Sequence, residues 1–153
     1  MKSMQNNQKG FTLVELMIVV GVIALLAVIA IPNFARARGT SQNTRFAADL
    51  RVACDAFVQY SVDNRRYPPD ATPGVMPSGM SDYLLRVPWL KDTAIGGQWD
   101  WDNGQFGEKA GVSVYQPTIP QSQLERLDRM IDDGNLSTGS FKARSDGYIS
   151  IIE

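Results

Sequence analysis

The sequence predicts an α+β protein in which one long N-terminal helix packs on a small antiparallel sheet. An uninterrupted apolar run near the N-terminus predicts the first half of this helix, and apolar residues at helical spacing predict the second half. The C-terminal third alternates apolar and polar residues between turn signals, as short strands do. The 121 residues from Asn33 to Glu153 are enough for one domain with one core.

The apolar run extends from Phe11 to Ile31, and its 21 residues contain a single ionisable side chain, Glu15. With a rise of about 1.5 Å per residue, this segment forms a helix roughly 31 Å long, close to the ~30 Å hydrocarbon thickness of a bilayer. A helix satisfies its own backbone hydrogen bonds, so it can lie in lipid. We therefore expect the N-terminal helix to anchor the chain in a membrane.

Glu15 is unusual inside such an anchor. A carboxylate at the bilayer centre costs about 2.5–3.5 kcal/mol, and less near a helix end, so it usually has a partner. No Lys or Arg lies in the apolar run, so a cation must come from elsewhere. If the chain were cut between Gly10 and Phe11, the new α-amine would lie one turn from Glu15 and be positively charged near pH 7. The amine of one copy would then pair with Glu15 of the next copy.

Gly21 and Pro32 are the two weak points of the helix, because Gly has a low helix propensity and Pro removes a backbone hydrogen bond. Pro32 either ends the membrane helix at the surface or bends one continuous helix. The helical pattern resumes from Asn33 to Asn64 and favours the bend.

The second half of the helix is predicted to be amphipathic and to pack on a sheet. Its apolar residues follow one another at intervals of four, three, four and three, at Phe46, Leu50, Ala53, Phe57 and Tyr60. The seam lasts only about two heptads, which is too short to indicate a coiled coil. Pro68 and Pro69 prevent the helix from continuing.

The C-terminal third is predicted to form strands with one inserted helix. The strand Gln98 to Asp102 places Trp99 and Trp101 on one face, where aromatic residues are more often core than a ligand-stacking surface. Asn103-Gly104 is a strong turn signal. The remaining predicted elements are a strand from Val112 to Gln116, a helix from Pro120 to Asp133 and a final strand from Tyr148 to Ile152.

Residues suited to catalysis or metal binding are scarce. The chain contains no His and a single Cys, Cys54, so it has neither a Ser-His or Cys-His pair nor a multi-cysteine metal site, and we expect an inert thiol. Asp100 and Asp102 resemble the start of a calcium loop, but Gly111 stands where the bidentate Glu is needed. We expect these two acids to lie on a solvated strand face. A net charge of −1 offers no basic surface for nucleic acid. The sequence thus predicts no enzyme, no cofactor, no metal and no nucleic-acid partner.

The segment Lys9-Gly10-Phe11-Thr12-Leu13-Val14-Glu15, with the apolar run and Ile31-Pro32-Asn33, resembles the N-terminus of type IV prepilins and type II secretion pseudopilins. The resemblance covers about Gly10 to Phe34. It implies that a prepilin peptidase cuts after Gly10 and N-methylates Phe11. It also implies that Glu15 neutralises the amine of a neighbouring subunit, and that Gly21 and Pro32 bound a zone where the helix loosens in a filament.

The same resemblance divides the chain into a leader at 1–10, a transmembrane and filament-core half of the helix at 11–33, and an exported pilin-like domain at 34–153. Lys2 and Lys9 would hold the N-terminus in the cytoplasm. The implied location is the bacterial inner membrane, spanned once, and then a periplasmic or cell-surface filament. The implied partners are further copies of the chain in a helical filament, prepilin peptidase, the inner-membrane assembly machinery, and membrane lipid before assembly.

Several alternatives remain open at this stage. A secretory signal peptide is a competing interpretation, but the apolar run is too long for one. A plain single-pass anchor fits the length but leaves Glu15 unexplained. The stretch from Asn64 to Pro68 resembles one in major pseudopilins, yet the acidic calcium loop typical of those proteins is missing, because Ser137 to Gly147 contains only Asp146. A pilus subunit, a secretion pseudopilin and an anchored binding module that does not polymerise are the competing functions.

Overall fold

The computed structural model describes residues 10–153, so all of the predicted leader except Gly10 lies outside the described residues. Two helices and four strands follow one another along the chain. They are α1 (Leu13–Asn64), β1 (Gln98–Asn103), β2 (Ala110–Tyr115), α2 (Gln121–Ile131), β3 (Phe141–Arg144) and β4 (Gly147–Ile151). The predicted fold class, a long N-terminal helix with a small antiparallel sheet, is confirmed.

The chain divides into two compact units, Met1–Arg38 and Gly39–Glu153, and α1 contributes to both. The helix contains Pro32 in its interior, so this proline does not end it. Whether the helix bends or loosens between Gly21 and Pro32 stays a prediction, as do the proposed boundaries at residues 10 and 33.

The four strands of the second unit form one antiparallel sheet in the order β1-β2-β4-β3. Loop backbone pairs with the outer edge of β1 and with part of the outer edge of β3. The amides of Ala71 and Gly74 donate to the carbonyl oxygens of Trp101 and Trp99 on β1, at 3.3 and 2.8 Å. On the opposite edge the amide of Ala143 in β3 donates to the Leu136 carbonyl at 2.7 Å. Neither edge strand therefore presents a bare row of amides and carbonyls.

Aromatic stacking joins α1 to the sheet. Phe57 stacks on Trp101 with ring centroids 3.8 Å apart, and Phe46 stacks on Trp99 at 5.2 Å. All five residues of the predicted helical seam are buried, as are both tryptophans. The spacing of the seam and the alternation in β1 thus predicted correctly which sides of the two elements meet, and Trp99 and Trp101 are core residues.

β3 was not among the elements predicted from the sequence, and some predicted element ends were wrong. β3 has four residues and buries fully only Phe141, so it lacks the run of alternating residues that marks a strand. β2 begins two residues before the predicted Val112 because the small residues Ala110 and Gly111 pair with β1. The second helix ends at Ile131 rather than at Asp133.

A reciprocal pair of amides connects the two helices within the second unit. The Asn43 side-chain nitrogen donates to the Gln123 carbonyl oxygen at 3.0 Å, and the Gln123 side-chain nitrogen donates back to Asn43 Oδ1 at 3.0 Å. Both side chains are buried, and the Gln123 side-chain nitrogen also lies 3.3 Å from the Gly39 carbonyl oxygen and 3.4 Å from Gln42 Oε1. Gly39 allows this approach, since a Cβ there would stand 3.2 Å from Gln123 Oε1.

We expect Asn43→Ala to lower the free energy of unfolding by about 1–3 kcal/mol, because it removes the two buried hydrogen bonds between Asn43 and Gln123, each worth about 0.5–1.5 kcal/mol. Urea titration of the full chain in detergent, followed by tryptophan fluorescence, measures this change. Ser41→Ala, an exposed position on the same helix, is the matched control and should stay within about 0.5 kcal/mol of the parent. Equal stability of the two variants would contradict a structural role for the amide pair.

Candidate assembly and processing site

The first unit exposes an unbroken apolar surface. Every large apolar side chain from Phe11 to Phe34 is more than half exposed, with values from 51% at Val19 to 83% at Phe11. Among the described residues, α1 is a helix long and apolar enough to cross a membrane. An exposed apolar surface of this extent is typical of a segment that lies in lipid or packs against other chains.

Glu15 lies in the first turn of α1 and forms a capping box with Thr12. Its carboxylate accepts hydrogen bonds from the amide and the hydroxyl of Thr12, both at 2.9 Å, and its own amide donates to Thr12 Oγ1 at 3.2 Å. The Thr-x-x-Glu pattern is the sequence signature of this box, but the box was not among the predictions from the sequence. The contacts of Glu15 are thus hydrogen bonds, and its negative charge has no ion pair among the described residues.

Nothing within the described chain requires glycine at positions 10 and 21. A Cβ added to Gly10 or to Gly21 would have no atom within 4 Å, and neither residue has a positive φ. The Phe11 side chain beside Gly10 is also largely exposed, at 83%. The fold of the described residues therefore gives no reason for glycine at either position.

The expectation that Asp100 and Asp102 lie on a solvated face was wrong. Both residues are only 4% exposed, because Arg144 reaches across the sheet between them. Arg144 Nη2 donates to Asp100 Oδ2 at 2.6 Å, Nη1 donates to Asp102 Oδ2, and Nε lies 2.8 Å from Asp146 Oδ1. The Ser113 hydroxyl also donates to Asp102. We call Asp100, Asp102, Arg144 and Asp146 the buried charge cluster.

Burial governs the electrostatics of this cluster. The Arg144 side chain is 2% exposed, and those of Asp100 and Asp102 are 5% and 6% exposed. Removal from water raises the pKa of both aspartates above the ordinary value, even though their hydrogen bonds and the Arg144 charge act in the opposite direction. The Phe106 ring covers the guanidinium from 4.6 Å. Arg144 lies within ion-pair distance of all three carboxylates, so the cluster connects the end of β3 to β1.

Cys54 is partly buried beside the helical seam, and its Sγ lies 3.8 Å from the Ser150 hydroxyl. Burial raises the pKa of this thiol to about 11, so it stays protonated at neutral pH. The thiolate is the reactive form of cysteine. These observations agree with the predicted inert thiol.

The architecture defines the class of protein: this is the fold of a type IV pilin. The major type IV pilin PilA1 from Clostridium difficile superimposes with a TM-score of 0.54 at 17% identity, over 74% of this chain and 95% of that one. Residues 5–31 match the family described as the prokaryotic N-terminal methylation motif. The chain thus combines a pilin fold with the motif that the sequence analysis identified, and its resemblance to type IV pilins and type II secretion pseudopilins is confirmed.

The particular relatives come from two kinds of filament system. The type IV wide pilus major component PilA4 of Thermus thermophilus is 44% identical over 61 residues, which is 40% of this chain and 47% of that protein. The type II secretion system core protein G of Klebsiella pneumoniae is 27% identical over 130 residues, 75% of this chain and 89% of that protein. The chain therefore spans about half the length of the first relative and most of the second. These relatives are named as pilins and secretion components, not as enzymes.

Proposed function

We propose that this chain is a non-enzymatic structural subunit of a type IV pilus-like or type II secretion pseudopilus filament. In this proposal a prepilin peptidase cuts after Gly10 and methylates the new amine of Phe11. The first half of α1 then lies in the bacterial inner membrane and later forms the filament core. The second unit stays outside the membrane and faces the periplasm or the cell surface.

The observation that carries the proposal is the exposed apolar half of α1 with one carboxylate near its start. Lipid hides such a surface, and so does a bundle of identical helices. Lipid tails are as apolar as these side chains, so moving the helix from lipid into a bundle gains little hydrophobic energy. Side-chain packing and a specific polar contact must therefore supply the preference for the bundle.

The charge of Glu15 supplies that polar contact. Thr12 donates hydrogen bonds to the carboxylate but brings no positive charge. The α-amine of a neighbouring copy, created by the cut before Phe11, is the cation that the proposal assigns to it. An unpaired charge is costly in an apolar bundle, so only the stagger that brings the two charges together is stable.

The proposal is tested by shearing fibres from cells that produce the full chain with a pilus or pseudopilus assembly system. We expect electron microscopy to show thin filaments that contain this chain. Mass spectrometry of the filament subunit should give residues 11–153 with one added methyl group. An intact residue 1, a cut at another position, or the absence of fibres would contradict the proposal, and the last result would favour an anchored binding module that does not polymerise.

Pilus and pseudopilus remain two versions of this proposal, because the relatives include both kinds of protein. Deleting the gene in its native host separates them. Loss of surface fibres with normal export of secreted proteins would indicate a pilus subunit. Loss of export would indicate a secretion pseudopilin.

A further inference from the structure

We propose that the C-terminal end of α2 binds a divalent cation, with calcium as the best fit, through the carboxylates of Asp128, Asp132 and Asp133. One carboxylate oxygen from each residue lies within 4.8 Å of those from the other two. Oxygens bound to calcium at about 2.3–2.6 Å are at most about 5 Å apart, so one ion can reach all three. Carboxylate oxygens are also the ligands that calcium prefers. This site is independent of the proposed filament function.

The main evidence for a bound cation is the buried carboxylate of Asp128. This residue is 0% exposed, and neither of its carboxylate oxygens has a hydrogen-bond partner of normal geometry among the described residues. Burial, and then the charges of Asp133 and Asp132, raise the pKa of this carboxyl, although the Gly134 amide acts in the opposite direction. A buried carboxylate without a partner is strongly unfavourable. Its position next to two more carboxylates adds repulsion, which a bound cation converts into attraction.

The other two carboxylates are exposed to solvent and held in place by the loop that follows α2. Asp133 accepts hydrogen bonds from the Asn135 amide at 2.8 Å and the Thr138 hydroxyl at 2.7 Å. Asp132 accepts one from the Ser140 amide. These bonds fix two ligands on the open side of the site, so an ion can enter from water and meet Asp128 beneath them.

The surrounding charges favour a cation as well. The last carbonyl groups of an α-helix carry a partial negative charge, and Asp128 and Asp132 lie one turn apart at this end of α2. None of the ion pairs found among residues 10–153 involves any of the three aspartates. The negative charge at this place is therefore not neutralised by a neighbouring Lys or Arg.

The site differs from both calcium patterns that the sequence analysis considered. Asp100 and Asp102, the supposed start of a calcium loop, are bound to Arg144. The segment Ser137 to Gly147, where the acidic loop of major pseudopilins was sought, contributes no carboxylate to the trio. The ligands lie instead at the end of a helix. Asp128 and Asp132 are four residues apart, so they come to the same face only when the chain forms a helix.

The test uses the full chain in detergent, stripped with EDTA and dialysed at pH 7.5. We expect calcium chloride at about one hundred times its dissociation constant to raise the Tm by roughly 10 °C. The Tm is measured by circular dichroism. Isothermal titration calorimetry should show one calcium ion per chain. Asp128→Asn and Asp133→Asn should each lose the calcium-dependent shift, and both should bind calcium at least tenfold more weakly. Magnesium chloride, tested in parallel, should produce a smaller shift.

Asp92→Asn is the matched control, because Asp92 is exposed and lies outside the trio; it should keep the full response to calcium. Asp128→Asn in EDTA should be at least as stable as the parent, since it removes the unpartnered charge; this result separates loss of binding from failure to fold. Identical Tm values of the parent with calcium and with EDTA would overturn the proposal and leave a proton shared with Asp133 as the explanation. A response that survives in both Asp128→Asn and Asp133→Asn would overturn it too.

Discussion

Glu15→Gln is expected to leave membrane insertion, cleavage and methylation unchanged and to reduce incorporation into filaments by about 100-fold or more. Glutamine keeps the hydrogen bonds of the capping box with Thr12, because Gln serves at this position as well as Glu. It cannot neutralise the amine of a neighbouring subunit. Leaving one charge of a buried ion pair without its partner costs about 3–5 kcal/mol, which corresponds to the expected reduction in filament incorporation. Quantitative immunoblots of sheared filaments and of membranes measure the two populations.

Two further variants make the result specific. Glu15→Asp keeps the charge and shortens the side chain, so it should assemble better than Glu15→Gln if charge pairing matters. Gly10→Val should fail at an earlier step and leave the full-length precursor in the membrane. Normal filament yield from Glu15→Gln would refute the pairing, and the capping box would then be the sufficient explanation for Glu15.

Arg144→Met is expected to destabilise the second unit by at least about 3–5 kcal/mol, because it leaves the carboxylates of Asp100 and Asp102 buried without a counter-charge. The total stability of a domain is typically about 5–15 kcal/mol, so the variant should be close to unfolding. Urea titration of the full chain in detergent, followed by tryptophan fluorescence, measures the change, since Trp89, Trp99 and Trp101 are all buried in this unit.

Charge and pH controls isolate the cause of this loss. Lys109→Met removes an exposed ion pair with Glu153 and should have no measurable effect. Adding Asp100→Asn and Asp102→Asn to Arg144→Met should restore much of the stability.

Burial already raises the pKa of both aspartates, and loss of Arg144 raises each pKa further. The cost of Arg144→Met should therefore be full near pH 7 and should decrease as the pH falls through these raised values. A cost that does not change with pH would show that lost packing is responsible.

Long periodic patterns made most of the fold predictable. The apolar run and the seam from Phe46 to Tyr60 repeat over many turns, so α1 and the side it buries follow from spacing alone. The aromatic alternation of Trp99 and Trp101 likewise predicted the inner side of β1. The four residues of β3 repeat too little to be recognised, and pairing with β4 makes them a strand.

The two aspartates of β1 show where local patterns fail. Polar residues that alternate with aromatics normally face water, and only Arg144, 42 and 44 residues further along the chain, changes that outcome. Asp128 is a second case, because it lies among acidic neighbours near the end of α2 and is nevertheless fully buried. Thr12 and Glu15 are different, since their capping box is a local pattern and was open to prediction.

The covered edges of the sheet affect how well such a chain resists aggregation at high local concentration. A bare edge strand is a template for amyloid-like growth, and molecules crowded on a membrane meet often. Here loop backbone already occupies the outer side of β1 and part of that of β3. Edge-to-edge pairing of sheets between molecules is thereby discouraged.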